Sequence, residues 1–337
     1  MSRYARRIQK VGSSMLISLP NQWIKFNHLK KGATLLVEIN KDNSISVFPS
    51  ADTNEAIKSV TIPYSHESMD NMINQIYGAY LLGYDIIKIK AKGQISFEHS
   101  ESIKFAMRKL VGLEIVDENT SNIESQFLID TNSLDAAKIL KRMNTIVAGM
   151  YRDILDVFIN KNFGIAKLMT SRDDEVDRQY FLLVRLIRST MMDQKLARKL
   201  NLSNIDILDY RIAANHLESA GDHMVEFASS LPYLYEMDLH ESLKGVCSCL
   251  EEMQFKSVTA FINKSSTESV RVVKMYNEFN RLMDVVKQKV SREDQRSSKS
   301  NLAMLNSIYS LNNLARLWVD VADLVKPAYL IAPLGTV

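Results

Sequence analysis

The chain has 337 residues, 46% of them hydrophobic and 24% charged, a balance that excludes a mainly disordered protein and fits two or three folded domains. No apolar run approaches the ~18 residues of a membrane-spanning helix, and the opening MSRYARRIQK has no apolar core, so the chain reads as cytoplasmic, without a spanning helix or secretory signal. The net charge of +3 is uneven: residues 1–50 hold eight basic and two acidic groups, a local +6, and the remainder nets −3. A basic end on a mildly acidic body suits a polyanion-binding head with a separate sensing or assembly part.

Residues 5–11 and 14–19 read as short strands joined by Gly12 and Ser13. Pro20 opens a short helix, NQWIKFNHL, and Lys30-Lys31-Gly32 turns the chain. Residues 33–39 and 44–50 are two more strands around Lys41-Asp42-Asn43. A module of this size buries too little apolar surface to stand alone, so partner strands from a second chain are expected. Arg3, Arg6, Arg7 and Lys10 lie on or beside the first strand, with Arg6 and Lys10 on one side and Arg7 on the other. Such a basic ribbon can sit against phosphates or enter a groove, which makes these four residues the candidate DNA contacts.

Residues 55–132 change character. Segments 59–63, 85–91, 113–118 and 125–130 read as strands, and 66–82 and 97–111 as helices, the second closed by Gly112. This alternation predicts a small α/β middle domain. It holds no phosphate loop and no catalytic cluster, so a connecting or dimerising role is its plain reading.

From residue 133 every segment has helical period, and Pro232 is the one proline between 64 and 326. Helices are expected near 133–161, 165–197, 204–230, 239–263, 267–294 and 299–326, with breaks at 160–164, 200–204, Pro232 and 291–300. Ser203 and Asp206 suit a helix N-cap. Long helices with short turns imply antiparallel bundles. Two three-helix repeats, 133–230 and 239–327, emerge: DEVDRQYFLLV (174–184) aligns with NEFNRLMDVVK (277–287), and NHLESAGDHMVEFA (215–228) with NNLARLWVDVADLV (312–325).

Two places concentrate acids at helical spacing. Asp173 and Asp177 stand i, i+4 in a run opening the second helix of the first repeat; Glu218 and Asp222 do so inside the third. Like charges at that spacing cost roughly 0.2–0.5 kcal/mol per pair. They are better tolerated facing a cation, and four carboxylates on neighbouring helices would make an oxygen-rich site for magnesium, calcium, manganese or iron. The first run also suits a helix macrodipole if it occupies the first turn. Small residues around Glu218, including Ala220 and Gly221, let a neighbouring backbone come close. His223 offers a nitrogen 100° round the helix from Asp222, and His216 shares its face; surface or capping roles fit both histidines. In the second repeat Tyr276, Asn280, Ala315 and Val319 replace the acids, so one site per chain is expected. Cys247 and Cys249, two apart on a helix, face different ways and read as reduced packing thiols, and the 16 methionines read as core filler. There is no Ser/His/Asp set, no Glu-x-x-His pair and no glycine-rich phosphate loop, so no enzyme is expected.

The segment RRIQKVGSSMLISLPNQWIKFNHLKKGATLLVEI resembles the AbrB/MazE-type swapped-hairpin domain: a basic strand, a Gly-Ser turn, a strand ending in Leu-Pro, a Trp-containing helix, then Leu-Lys-Lys-Gly. Residues 134–330 resemble PhoU, on LESAGDH (217–223) and the paired acids. An AbrB-like head on a PhoU-like body resembles the archaeal phosphate-uptake regulators. The resemblance implies a mainly α protein of three domains, 1–50, 55–132 and 133–330, with tandem three-helix bundles at the end. It further implies a homodimer through the head and DNA as partner. The body would bind a divalent or trivalent metal (iron, zinc, manganese or magnesium) on Asp173, Asp177, Glu218 and Asp222, and a phosphate transporter or signalling protein would dock on it. Asn215 departs from the arginine common in PhoU, and 55–132 matches neither family. Two competing expectations are a docking module whose head only dimerises and a carboxylate-bridged metalloenzyme.

Overall fold

The computed structural model describes residues 3–39, 43–49, 57–160, 164, 166–235, 239–291 and 297–325. The predicted Lys41-Asp42 turn and the breaks at 161–163 and 292–296 fall outside the described residues. The chain divides into two compact units, Met1–Ala56 and Ile57–Val337.

The first unit holds two antiparallel hairpins. Strand β1 (Gln9–Val11) pairs with β2 (Ser14–Leu16), and Gly12 supplies the positive φ (63°) their turn requires. Helix α1 (Asn21–Phe26) follows Pro20, and β3 (Leu35–Ile39) pairs with β4 (Ile45–Pro49). None of the described residues of this unit is buried. Ile8, Val11, Met15, Ile17, Phe26, Val37, Ile39 and Ile45 are all exposed, as expected of a module too small to enclose its own core.

The second unit opens with a four-stranded sheet. Strands β5 (Ser59–Pro63), β6 (Ile86–Lys90), β7 (Leu113–Asn119) and β8 (Asn122–Phe127) lie in the order β5-β6-β8-β7, with only β5 and β6 parallel. The last strand starts at Asn122, earlier than the predicted 125, because Thr120 and Ser121 make the hairpin turn. Strand alternation puts Ile87, Ile89, Ile123 and Phe127 on the buried face. There they share a core with Met72, Ile76 and Tyr80 of α2 (Met69–Leu81) and with Ile103 and Met107 of α3 (Phe97–Arg108).

The remainder is helical: α4 (Ala136–Asn160), α5 (Ala166–Met192), α6 (Gln194–Lys199), α7 (Asn204–Tyr235), α8 (His240–Asn263), α9 (Ser266–Ser291) and α10 (Ser298–Asp323). Helices α4, α5 and α7 pack as one group and α8, α9 and α10 as a second, joined chiefly through α7 and α10. Trp318 of α10 and Tyr151 of α4 meet at this centre, the indole N–H donating to the phenol at 3.1 Å. No described helix is long and apolar enough to cross a membrane.

Two predicted boundaries need correction. The expected helix over 165–197 splits, because the Asp193 carboxylate accepts the Lys195 N–H at 2.8 Å and starts α6 afresh. Pro232 does not end α7, which runs on to Tyr235. Its exposed ring stands near the C-terminus, so the missing N–H costs a single late hydrogen bond. At the start of α7 the predicted cap forms: Ser203 N–H donates to Asp206 Oδ2 at 2.9 Å and Asp206 N–H to Ser203 Oγ at 3.2 Å.

Arg185 fastens the sheet layer to α5. It is 2% exposed, donates to the Tyr80 and Tyr84 carbonyls at 2.7 and 2.9 Å, and reaches Asp85 Oδ1 at 3.3 Å. Its guanidinium also lies 3.9 Å from the centre of the Phe127 ring. Beside it, Gly83 takes a positive φ (79°) that other residues rarely adopt, and a Cβ there would fall 2.8 Å from Ser189 Oγ. Replacing Arg185 by Met removes a buried donor from two carbonyls and the charge partner of Asp85, and urea unfolding is expected to show a loss of about 3 kcal/mol.

Candidate metal centre

The acids of α5 do not open their helix. It begins at Ala166, seven residues before Asp173, beyond the single turn over which the helix dipole acts. Their placement therefore answers to tertiary neighbours. Consecutive side chains here leave α5 in different directions. Arg172 pairs with Asp153 of α4, in a notch where a Cβ on Gly149 would lie 2.8 Å from the guanidinium. Asp174 accepts from Lys109 Nζ, at the end of α3, at 2.9 Å. Glu175 accepts from Arg178 Nη1 at 3.1 Å and Gln179 Nε2 at 3.0 Å. Val176 is fully buried.

Asp173 and Asp177 turn toward α7. A Cβ on Gly221 would fall 2.5 Å from Asp173 Oδ1 and 3.8 Å from Val176 Cγ1. The missing side chain at 221 thus makes the space that Asp173 fills. Asp173 Oδ1 is buried and meets no hydrogen-bond donor. Glu218 and Asp222, flanking Gly221 on α7, complete the face.

The four carboxylates feel one another. Burial, then the charges of Asp177, Asp222 and Glu218, push Asp173 up to about 7. Burial and Asp222 raise Asp177, offset in part by Lys109. Glu218 is raised by burial, then by Asp222 and Asp177, with Arg211 opposing. Asp222 is raised by burial against the charge of His223. The donor chemistry fits a hard cation: oxygen ligands, an excess of negative charge and one buried oxygen without a partner. Among the described residues, no three His, Cys, Asp or Glu side chains already close on one point. Like charges resist that closure until a cation offsets them.

The histidines take other partners. His223 Nδ1 is 3.2 Å from Glu226 Oε2, which also accepts from Ser310 of α10 at 3.0 Å. Burial lowers the His216 pKa, against the charge of Asp320. In the second repeat Ala315 is fully buried, and Tyr276 stacks on Phe279 at 13° between ring planes. Apolar packing fills that half. Cys247 is buried and Cys249 half-buried, and burial raises both thiols. In the first unit Arg3, Arg6, Arg7 and Lys10 are all exposed. Strand β1 starts at Gln9, so the three arginines precede it and only Lys10 lies on it; Arg6 stands 5.6 Å over the Tyr4 ring.

Sequence reasoning singled out the four carboxylates but not Lys109 and Tyr77, which the sheet layer brings to the same stretch of α5. Burial raises the Tyr77 phenol, with Asp177 and Asp174 adding to the rise and Lys109 opposing it. Its ring meets Phe181 of α5 edge-on, 5.2 Å between centres.

The PhoU domain family matches residues 140–231, a span containing all four carboxylates. A phosphate-specific transport system accessory protein PhoU homolog of Caulobacter vibrioides (strain NA1000 / CB15N) is 24% identical over 153 residues, 44% of this chain and 63% of the relative. The homolog of strain ATCC 19089 matches to the same extent. The chain thus spans less than two thirds of the length of these curated relatives. Among solved structures, the phosphate transport system regulatory protein PhoU from Streptococcus pneumoniae superposes with a TM-score of 0.48 at 16% identity, covering 58% of this chain and 96% of that one. PhoU from Pseudomonas aeruginosa gives 0.43 at 14% identity, covering 56% and 93%.

The raised Asp173 carries a pH signature. Its folded form holds the proton more tightly than the unfolded chain, so its contribution to stability falls as pH rises from about 4 to about 7. Thermal melts of wild type and Asp173→Asn in chelator are expected to diverge across that window, the variant gaining relative stability toward neutral pH.

Proposed function

We propose that this chain is a phosphate-uptake regulator: a homodimer through its basic head, which binds DNA, with a helical body that binds a cation and answers to phosphate status or docks on a phosphate transporter or signalling partner. The observation that carries the reading is the PhoU-domain match over the segment that holds Asp173, Asp177, Glu218 and Asp222, with Asp173 seated in the gap at Gly221. Those four carboxylates would hold the ion, with iron, zinc, manganese and magnesium as the candidates. Bound there, it supplies positive charge for phosphate oxygens to meet.

Support for the head is physical. Its apolar residues face outward with none buried, and a second copy of the same module is a natural cover. Arg3, Arg6, Arg7 and Lys10 are exposed beside that surface and free to meet phosphates.

Two measurements test the reading. Untagged wild type, purified without chelator, is expected to carry near-stoichiometric metal that Asp177→Ala with Glu218→Ala loses. Metal in neither protein, even after reconstitution, would overturn the cation site. Anisotropy on DNA upstream of the phosphate-transport genes of the source genome is expected to show steep salt dependence. Arg6→Ala with Arg7→Ala should flatten it by about 0.9 in log–log slope per lost phosphate contact. Dimers without salt-dependent DNA binding would leave the head as a dimeriser only.

Gly221→Ala separates site from fold. Alanine suits a helix better than glycine by about 0.5–1 kcal/mol, but its methyl takes the space of the Asp173 carboxylate. Stability by urea unfolding is expected to hold, and metal content to drop.

A further inference from the structure

Basic side chains stand beside the carboxylate face from two layers of the fold. Arg211, 5.0 Å over the Tyr180 ring, opposes the rise of Glu218 from within α7, and His223 does the same for Asp222. Lys109 differs, because it comes from another layer of the fold. It follows the last turn of α3, its Nζ 2.9 Å from Asp174 Oδ1 and 5.1 Å from the centre of the Phe105 ring. It reaches α5 because the sheet layer is pinned there by the Arg185 contacts and the Tyr77–Phe181 edge. Asp177 stands i+3 from Asp174 on α5, so the ammonium held by Asp174 lies beside a member of the face as well as beside a residue outside it. An ammonium beside an acidic site lowers the net negative charge an incoming cation finds.

We propose that Lys109 is a resident counter-cation of the α5/α7 carboxylate face, so that the sheet layer sets how tightly the helical body takes a metal ion. The proposal rests on the cation site of the preceding subsection. Lys109 is a positioning residue: it holds Asp174 and competes for the field at Asp177 without being a ligand. Asp174 in turn draws the ammonium off the face. The two halves of the pair therefore act in opposite senses on the site. Removing the lysine deepens the negative potential, whereas neutralising Asp174 removes a nearby negative charge and releases the ammonium toward Asp177.

The test uses the full chain, manganese(II) as probe, and free manganese read by electron paramagnetic resonance at fixed pH and low salt. Lys109→Gln is expected to bind between about threefold and tenfold tighter than wild type, an effect kept modest by partial exposure of the lysine and reduced by added salt. Lys109→Arg should stay near wild type, and Asp174→Asn should bind more weakly. An ion pair that merely fastened the sheet layer would move Lys109→Gln and Asp174→Asn in the same direction, and that result overturns the proposal. So does unchanged or weaker binding by Lys109→Gln while Asp177→Ala with Glu218→Ala abolishes it, an outcome that leaves the cation site standing. No manganese binding by wild type removes the site, and the role of Lys109 with it.

Discussion

Asp173 can lay its carboxylate between helices α5 and α7 because residue 221 has no side chain. Asp173 Oδ1 lies 2.5 Å from where a Cβ would stand, inside any tolerable contact. That one absence lets a carboxylate enter the helix interface, and the consequences are electrostatic. Asp173 loses water, finds no donor, and feels Asp177, Glu218 and Asp222. Left to themselves, such groups shed charge by holding protons; with a hard cation they keep it. The same gap at residue 221 therefore sets where the Asp173 carboxylate lies and the charges it meets.

Helix α5 is the element on which the second unit converges. Within 172–177 it meets α4 through Arg172 and Glu175, α3 through Asp174, the core through Val176 and α7 through Asp173. Eight residues beyond Asp177, Arg185 gathers the Tyr80 and Tyr84 carbonyls and the Phe127 ring. A rigid helix carrying both the acids and this buried arginine ties the position of the sheet layer to the charge environment of the site. In the second three-helix group Ala315, which the sequence aligns with Glu218 in the first, is buried.

Much of this was legible in the chain. Scarce glycine and proline announced long helices, and the small residue at 221 announced room that the Asp173 side chain takes. What escaped had a physical reason in each case. Pro232 reads as a break, but near the end of a helix it removes too little to stop it. Asp193 reads as one more residue of a continuous helical pattern, yet its carboxylate captures the Lys195 N–H and restarts the chain. The acids at 173–177 read as helix-opening because a run of acids suits a first turn, yet the helix begins at Ala166. Lys109 lies 65 residues from Asp174, and no periodicity connects them; only the docking of two layers does.

The central claim is that the face between α5 and α7 is a cation site, and anomalous diffraction tests it most directly. Crystals of the full chain grown with manganese(II) and measured on the long-wavelength side of the iron edge would locate the ion without reference to activity. The account predicts an anomalous peak among Asp173, Asp177, Glu218 and Asp222, with none at the matching positions Tyr276, Asn280, Ala315 and Val319. A well-diffracting crystal with no peak between the two helices, at manganese concentrations that saturate exposed carboxylates elsewhere, would contradict it.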